Sequence, residues 1–292
     1  MKITLWGTRG SVAAPGPETM RYGGNTSCVE VEAADGSVLV LDAGTGIRRL
    51  GDAIVDRISR VGDAIAPRIS RVDLLLTHLH MDHIQGLGFF EPLFRPAIDV
   101  HIWGPSSATE DLRARLGRYL SPPLFPVRLR DLPRQPTLHD ALRTGRFEIG
   151  PFTVNAEFVC HPGPTAGYRI EADGASLAYL PDHEPALGLG ALPADPGDIP
   201  GLGLAQDVDL LIHDAMYTVD EYPQRVGWGH SSVSDAMAFA VAARVKRLIP
   251  FHHDPSHDDD MLDRLFALAT AKPLPFEMLR GEEGFSCLLG NH

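Results

Sequence analysis

Between positions 78 and 83 the chain reads His78-Leu79-His80-Met81-Asp82-His83, three imidazoles and a carboxylate within six residues. Imidazole and carboxylate are the ligands that zinc, manganese and iron accept. The bland reading is a solvated histidine-rich loop, since a lone histidine is more often packed or exposed than ligating. Against it stands the position of the cluster, directly after Val72-Asp73-Leu74-Leu75-Leu76, an apolar run that reads as a buried strand. On an extended segment His78 and His80 point to one side. If the chain then turns into a helix, Asp82 and His83 swing back toward the same point. Residues 84–90 read as that helix's start or as a glycine-loosened loop. Four ligands on one hinge exceed what one ion normally takes from a single segment, so the stretch reads as half of a two-metal site.

A half-site requires partners, and three apolar strands deliver them at their ends. His161 follows Phe158-Val159-Cys160, Asp182 follows Ala178-Tyr179-Leu180-Pro181, and His252-His253 follow Leu248-Ile249-Pro250-Phe251. Singly, each has a dull explanation as a loop or turn residue. Together they repeat one pattern, and strand ends are where layered α/β proteins assemble sites. A carboxylate at position 182 is placed to bridge two cations.

The elements that must position these groups alternate between strand-rich stretches and helices in both halves. Strands are expected at 3–7, 27–32 (half-exposed by its alternation), 38–44, 72–76, 99–105, 147–149, 152–159, 167–171, 176–180, 209–212, 247–251 and 285–289. Helices are expected from Ile47 to about Ile65, around 108–120, at about 233–244 and at about 258–271, the last with Asp258, Asp259 and Asp260 in its first turn. Gly51-Asp52-Ala53-Ile54 with Arg57–Val61 recurs eleven residues later as Gly62-Asp63-Ala64-Ile65 with Arg68–Val72, a local lengthening in helical register. Residues 184–206, rich in Gly and Pro, read as a loop or lid. The pattern predicts two mixed sheets packed face to face with helices outside, an αββα sandwich, as one domain over 1–292.

With 292 residues, 44% hydrophobic and 22% charged, the chain has ample core for this. Its net charge of −12 argues against a general polyanion-binding surface, so stable nucleic-acid binding is not expected. Arg113, Arg115, Arg118, Arg128, Arg130 and Arg134 stand against one acid, Asp131, and read equally as a phosphate-facing patch or as solvated side chains. Cys28, Cys160 and Cys287 are dispersed and odd in number, without a CxxC pair, which suggests neither a disulfide framework nor a thiolate zinc knot. The N-terminus enters a strand directly and no run of eighteen apolar residues occurs, so no membrane span is expected and the cytoplasm is the default. The sequence does not set the oligomeric state; a homodimer is one option.

The ordered set His78-x-His80-x-Asp82-His83, His161, Asp182 and His252 resembles the metallo-β-lactamase-fold hydrolases over nearly the whole chain. The resemblance implies two divalent metal ions, zinc foremost and manganese or iron as alternatives. It places His78, His80 and His161 on the first, Asp82, His83 and His252 on the second, and Asp182 between them. Phe251-His252-His253 departs from the usual single histidine, which leaves His253 a rival to His252. Two further segments resemble the tRNase Z and phosphodiesterase branch: Ile212-His213-Asp214-Ala215, with Asp214 where that branch carries Glu, and Gly229-His230-Ser231-Ser232. That resemblance implies that His230 meets the substrate phosphate, oriented by Asp214. From the residues alone, a histidine ahead of a helix and near a carboxylate suits proton delivery, while the competing reading is a serine cap that His230 merely precedes. No insertion of the size of the long tRNA-grasping arm is present.

The expected activity is a dinuclear metal-dependent hydrolase acting on a small anionic phosphodiester or nucleotide through a metal-bridging hydroxide, with Asp82, Asp214 and His230 catalytic. A carboxyl-ester, lactone or thioester hydrolase on the same fold is the enzymatic rival. A diiron redox protein fits less well, because that group carries Glu at the position of His80. A non-catalytic, metal-stabilised binding or signalling module is the reading outside enzymes.

Overall fold

The computed structural model describes residues 1–60, 70–187 and 192–290. Alternation along the central strands decides the architecture. In β1 (Lys2–Gly7), β2 (Cys28–Glu32), β3 (Val38–Leu41), β4 (Arg71–Leu75) and β5 (Asp99–Gly104), successive side chains serve two different cores, and the partly exposed β6 (Thr137–Asp140) closes the edge of their sheet. Leu39 and Leu41 of β3 join the central core while Val38 and Val40 join an outer one. The second half supplies β7 (Arg146–Ile149), β8 (Phe152–Phe158), β9 (Ala166–Ala172), β10 (Ala175–Leu180), β11 (Leu210–Asp214), β12 (Arg247–Phe251), β13 (Glu277–Met278) and β14 (Ser286–Leu288). There Leu177 and Tyr179 face the centre, and Ala178 and Leu180 face out. Burial on both faces makes these strands continuous apolar runs in the sequence.

The strands form two seven-stranded sheets, in the orders β14-β1-β2-β3-β4-β5-β6 and β13-β12-β11-β10-β9-β8-β7. Both are mixed: β14 through β3 and β7 through β10 pair antiparallel, while β3 through β6 and β10 through β13 pair parallel. The sheets pack face to face around Leu5, Val29, Phe152, Tyr168 and Phe251. On the outer face of the first sheet lie helix α1 (Ile47–Arg60), through Ile47, Leu50 and Ile54, and, beyond the short α2 (Met81–Ile84), helix α3 (Leu112–Tyr119), through Leu112 and Leu116. After the short α4 (Ala141–Thr144), α5 (Leu202–Ala205) and α6 (Val233–Ala242) cover the second sheet with Leu202, Leu204, Phe239 and Ala240. Helix α7 (Asp259–Ala269) starts at an Asp258 cap. The αββα sandwich expected from the sequence is the observed fold.

Several expectations shift in detail. Strand β2 is not half-exposed: Cys28 through Val31 are all buried, and the Glu30 carboxylate is matched by Trp6 Nε1 at 2.9 Å and by Arg57 from α1. Helix α1 is described to Arg60; Gly62–Ile69, most of the second copy of the repeat, lies outside the described residues, and Arg71-Val72 open β4. Parts of 184–206 pack inward, with Glu184 buried and Ile199, Leu202, Leu204 and Ala205 in the outer core of the second sheet, while 194–198 are exposed. Four of the six clustered arginines are tied down: Arg115 donates to Pro105 O, and Arg118, Arg130 and Arg134 pair with Glu110, Asp131 and Asp99. Two of those acids lie outside the 113–134 window, so half of the six arginines are matched by a carboxylate in space.

The two sheets are joined where the ligand-bearing loop begins. Ala166 N at the start of β9 donates to Thr77 O at 2.8 Å, and the fully buried Tyr168 hydroxyl donates to Leu76 O at 2.6 Å. Tyr168→Phe would leave a buried carbonyl unpaired, which costs about 1–3 kcal/mol. Urea unfolding is expected to show that loss.

Candidate metal centre

The expected ligands lie in the segments that follow strand ends on one edge of the sandwich. After β4 the chain runs through Leu76 and Thr77 to His78, and His80 in extended conformation caps α2, which turns Asp82 and His83 back. The His78 and His83 ring centroids are 4.3 Å apart. His161 follows β8 and its loop, Asp182 follows β10, and His252 follows β12. Two sets of ligand atoms converge, each mutually within 4.8 Å: His78, His80 and His161, and Asp82, His83, Asp182 and His252. Asp182 reaches both sets. Its Oδ1 lies 2.9 Å from His83 Nε2, and its Oδ2 lies 3.7 Å from the Nε2 atoms of both His78 and His161. His252 Nε2 is 3.0 Å from Asp82 Oδ2 and 3.4 Å from Asp182 Oδ2.

The histidine left open beside it is elsewhere. His253 donates from Nε2 to Gly281 O at 2.8 Å and packs edge-on against Tyr22. Burial, helped by Arg9 and His257, lowers its pKa to about 3. The backbone at His252 is left-handed (φ 62°), which turns consecutive histidines to opposite destinations. Gly10 makes room for the turn, since a Cβ there would lie 2.3 Å from His252 Nδ1.

Residues behind the cluster fix which nitrogens face inward. Fully buried Asp42, just past β3, accepts from His83 Nδ1 (2.8 Å), Thr77 N (2.7 Å), Thr77 Oγ1 (2.9 Å) and the Tyr179 hydroxyl (2.9 Å). His161 Nδ1 donates to Gly229 O at 2.9 Å. Donation from Nδ1 leaves Nε2 with a lone pair aimed at the cluster, the tautomer that a cation requires. Ser11 N donates to Asp82 Oδ2 at 2.8 Å.

The donor set fits divalent cations. Imidazoles stand against one another with His161 Nε2 3.1 Å from His80 Nδ1 and His83 Nε2 3.4 Å from His252 Nε2. His78 Nε2 is buried without a hydrogen-bond partner, and Asp182 Oδ1 lacks hydrogen-bond geometry despite its proximity to His83. Burial raises the cost of the charged Asp82 and Asp182 carboxylates, yet the surrounding imidazoles hold both well below the usual range. Paired carboxylates and inward lone pairs at this depth need positive charge between them.

His230 stands beside the cluster, its ring stacked 4.8 Å from that of His252 and its Nδ1 4.0 Å from Asp182 Oδ2. Nδ1 donates to Asp214 Oδ2 at 2.7 Å. Asp214, at the end of β11, is fully buried and also accepts from the backbone N–H groups of His183, Met216 and Ser231. Burial works against the charged imidazole, but Asp214, with Asp182 and Asp82 behind it, raises its pKa to about 9. The cap that competed for this segment is also real: Ser232 and Asp235 form a reciprocal capping box on α6, one residue beyond the Asp214 contact. The cap thus falls on Ser232, and His230 is left paired with Asp214.

Asp42, Thr77, Tyr179 and Glu184 are site residues that the sequence reading did not single out. Asp42 carried the same signal as Asp182, a carboxylate at the end of an apolar strand. The contacts of Thr77, Tyr179 and Glu184 are made only in three dimensions.

Two mixed sheets with outer helices and a His/Asp cluster at one edge define a metal-dependent hydrolase of the metallo-β-lactamase fold, a fold that implies divalent metal ions. Residues 39–253 match the family described as the β-lactamase superfamily domain, and the chain belongs to that family. A ribonuclease Z from Mycobacterium sp. (strain KMS) is 29% identical over 267 residues, covering 87% of this chain and 85% of that protein. The short form of human tRNase Z superposes with a TM-score of 0.59 at 21% identity, over 100% of both chains. Zn(2+)-bound PqqB from Methylobacterium extorquens gives 0.66 at 18% identity, over 99% of this chain and 100% of that one.

Asp42→Asn removes the carboxylate that orients His83. Loss of such an outer partner typically weakens metal affinity by about 10–100-fold. Competition with a chromogenic chelator is expected to show a shift in that range.

Proposed function

We propose that the chain hydrolyses small phosphodiesters, nucleotides among them, at a dinuclear centre held by His78, His80 and His161 on one side, Asp82, His83 and His252 on the other, and Asp182 between. Zinc is the foremost candidate cation; it suits imidazole and carboxylate ligands, and PqqB, a fold neighbour, binds it. Two divalent cations there would supply Lewis-acid charge to phosphate oxygens and a water of lowered pKa. The remaining roles belong to the chain's own residues. Asp82 and Asp182, ionised and inward-facing, orient what enters between the two ligand sets. His230 keeps its proton on Nδ1 toward Asp214, and among the described residues its Nε2 makes no hydrogen bond, so that nitrogen faces the substrate. In the charged state that Asp214 favours, His230 Nε2–H donates to a phosphate oxygen or to the departing oxygen.

The observation that carries this reading is the His230–Asp214 pair. It adjoins the ligand cluster outside the two sets assigned to the cations; His230 also groups with His161 and Asp182, and with Asp214 and His252, which brings its proton to the edge of the site. The ribonuclease Z relative supports a phosphodiester as the bond cleaved. Packing of Ile199, Leu202, Leu204 and Ala205 onto the second sheet ties that part of 184–206 to the body of the fold, which favours small substrates.

Hydrolysis of bis(p-nitrophenyl) phosphate beside a simple carboxyl ester, with and without zinc or manganese, tests the proposal. The expected result is metal-dependent diester cleavage that falls by about 10²–10⁴-fold in His230→Ala while metal content is retained. Ester cleavage alone, unaffected by that variant, would instead select the lactonase or thioesterase reading. Asp182→Ala is expected to lose metal as well as turnover; a variant that kept two metals by elemental analysis would contradict the bridging role.

A further inference from the structure

The loop that delivers His230 also presents a large aromatic side chain to solvent. Trp228 is 55% exposed, although two residues later the chain is buried against the ligand cluster. Gly229 makes the junction: its φ is +89°, a Cβ there would lie 2.4 Å from His161 Nδ1, and its carbonyl accepts from that same nitrogen. The indole is therefore carried one residue from a contact with the metal centre, a Cα step of about 3.8 Å.

The loop is held in place. Glu184, 1% exposed, directs its carboxylate into the loop and accepts from the Tyr222 hydroxyl (2.9 Å), Gly227 N (2.9 Å) and Gly229 N (2.7 Å). Trp228 N donates to Arg225 O, and the Arg225 guanidinium lies 4.6 Å over the indole ring. A buried carboxylate thus pins a loop whose exposed product is one aromatic ring backed by a guanidinium, one residue from the Gly229 contact with His161. Exposed rings of this kind stack on nucleobases, with Arg adding a cation–π contribution.

Resting on the phosphodiesterase reading, we infer that Trp228 and Arg225, positioned by Glu184, form a stacking platform for a planar aromatic group of the substrate, so that nucleoside or aryl phosphoesters are selected over alkyl ones. Trp228 determines specificity and Glu184 is a positioning residue.

The test is equilibrium dialysis of the zinc-loaded protein against adenosine 5′-monophosphate and ribose 5-phosphate, with intrinsic fluorescence followed in parallel. The other two tryptophans, Trp6 and Trp103, are partly and fully buried. The expected result is a preference for the adenine-bearing ligand on the order of tenfold, with quenching of indole emission by that ligand alone. Trp228→Ala is expected to bring the ratio to about one, and Trp228→Phe to retain most of it, with unchanged melting temperatures. Equal affinities in the unaltered protein, or a preference that survives Trp228→Ala, would overturn the inference. Failure of the phosphodiesterase reading is separate: it shows as no cleavage of bis(p-nitrophenyl) phosphate, whereas failure of the platform alone leaves that cleavage intact without ring preference.

Discussion

Everything at the reactive edge depends on one buried carboxylate having all of its hydrogen bonds. Asp42 is fully enclosed, and an unpaired charge in that position would cost several kcal/mol. It is instead surrounded by donors from three parts of the fold: Thr77 at the start of the ligand loop, His83 on α2 and Tyr179 on β10 of the opposite sheet. Meeting the demand of that charge brings the two sheets together at the loop and sets the His83 tautomer. The same carboxylate contributes to holding the Tyr179 and Tyr168 hydroxyls well above their ordinary pKa, behind burial as the main cause, so both remain protonated donors.

The backbone shows where this arrangement is strained. Asp42 (φ 57°) and His252 (φ 62°) both adopt the left-handed region directly after the strands β3 and β12, a conformation that costs a side-chain-bearing residue on the order of 1 kcal/mol or more. Each turn redirects a side chain from the strand's pleat to the shared edge. Gly10 and Gly229 provide the matching close approaches, one against His252 and the other against His161. At these four positions backbone conformation and glycine clearance set where the imidazoles of His252 and His161 stand.

Much of this was legible in the sequence because one rule repeats. Strands buried on both faces write themselves as apolar runs, and at the sheet edge those runs end in polar residues that have work to do. That rule found His78, Asp182 and His252, and it would have found Asp42 after Val38–Leu41. Strands β6 and β13 were missed for the opposite reason: Thr137–Asp140 is polar, Glu277-Met278 is two residues long, and only their sheet neighbours make them strands. Distance in the chain hid other features. The arginines of 113–134 find Glu110 and Asp99 outside their own window, Glu30 reads as exposed until Arg57 covers it, and Glu184 looked like part of a loose loop until Gly227 and Gly229 came to it. The choice between His252 and His253 turned on a single φ angle, which no pattern of residue types encodes.

The most direct test of the central claim is anomalous X-ray diffraction at the zinc edge from crystals of zinc-loaded protein. The account predicts two peaks per chain. One should lie about 2.0–2.2 Å from nitrogens of His78, His80 and His161, the other at similar distances from Asp82, His83 and His252, with Asp182 touching both. A single peak, or a second peak coordinated by His253 or by residues outside this edge, would contradict it.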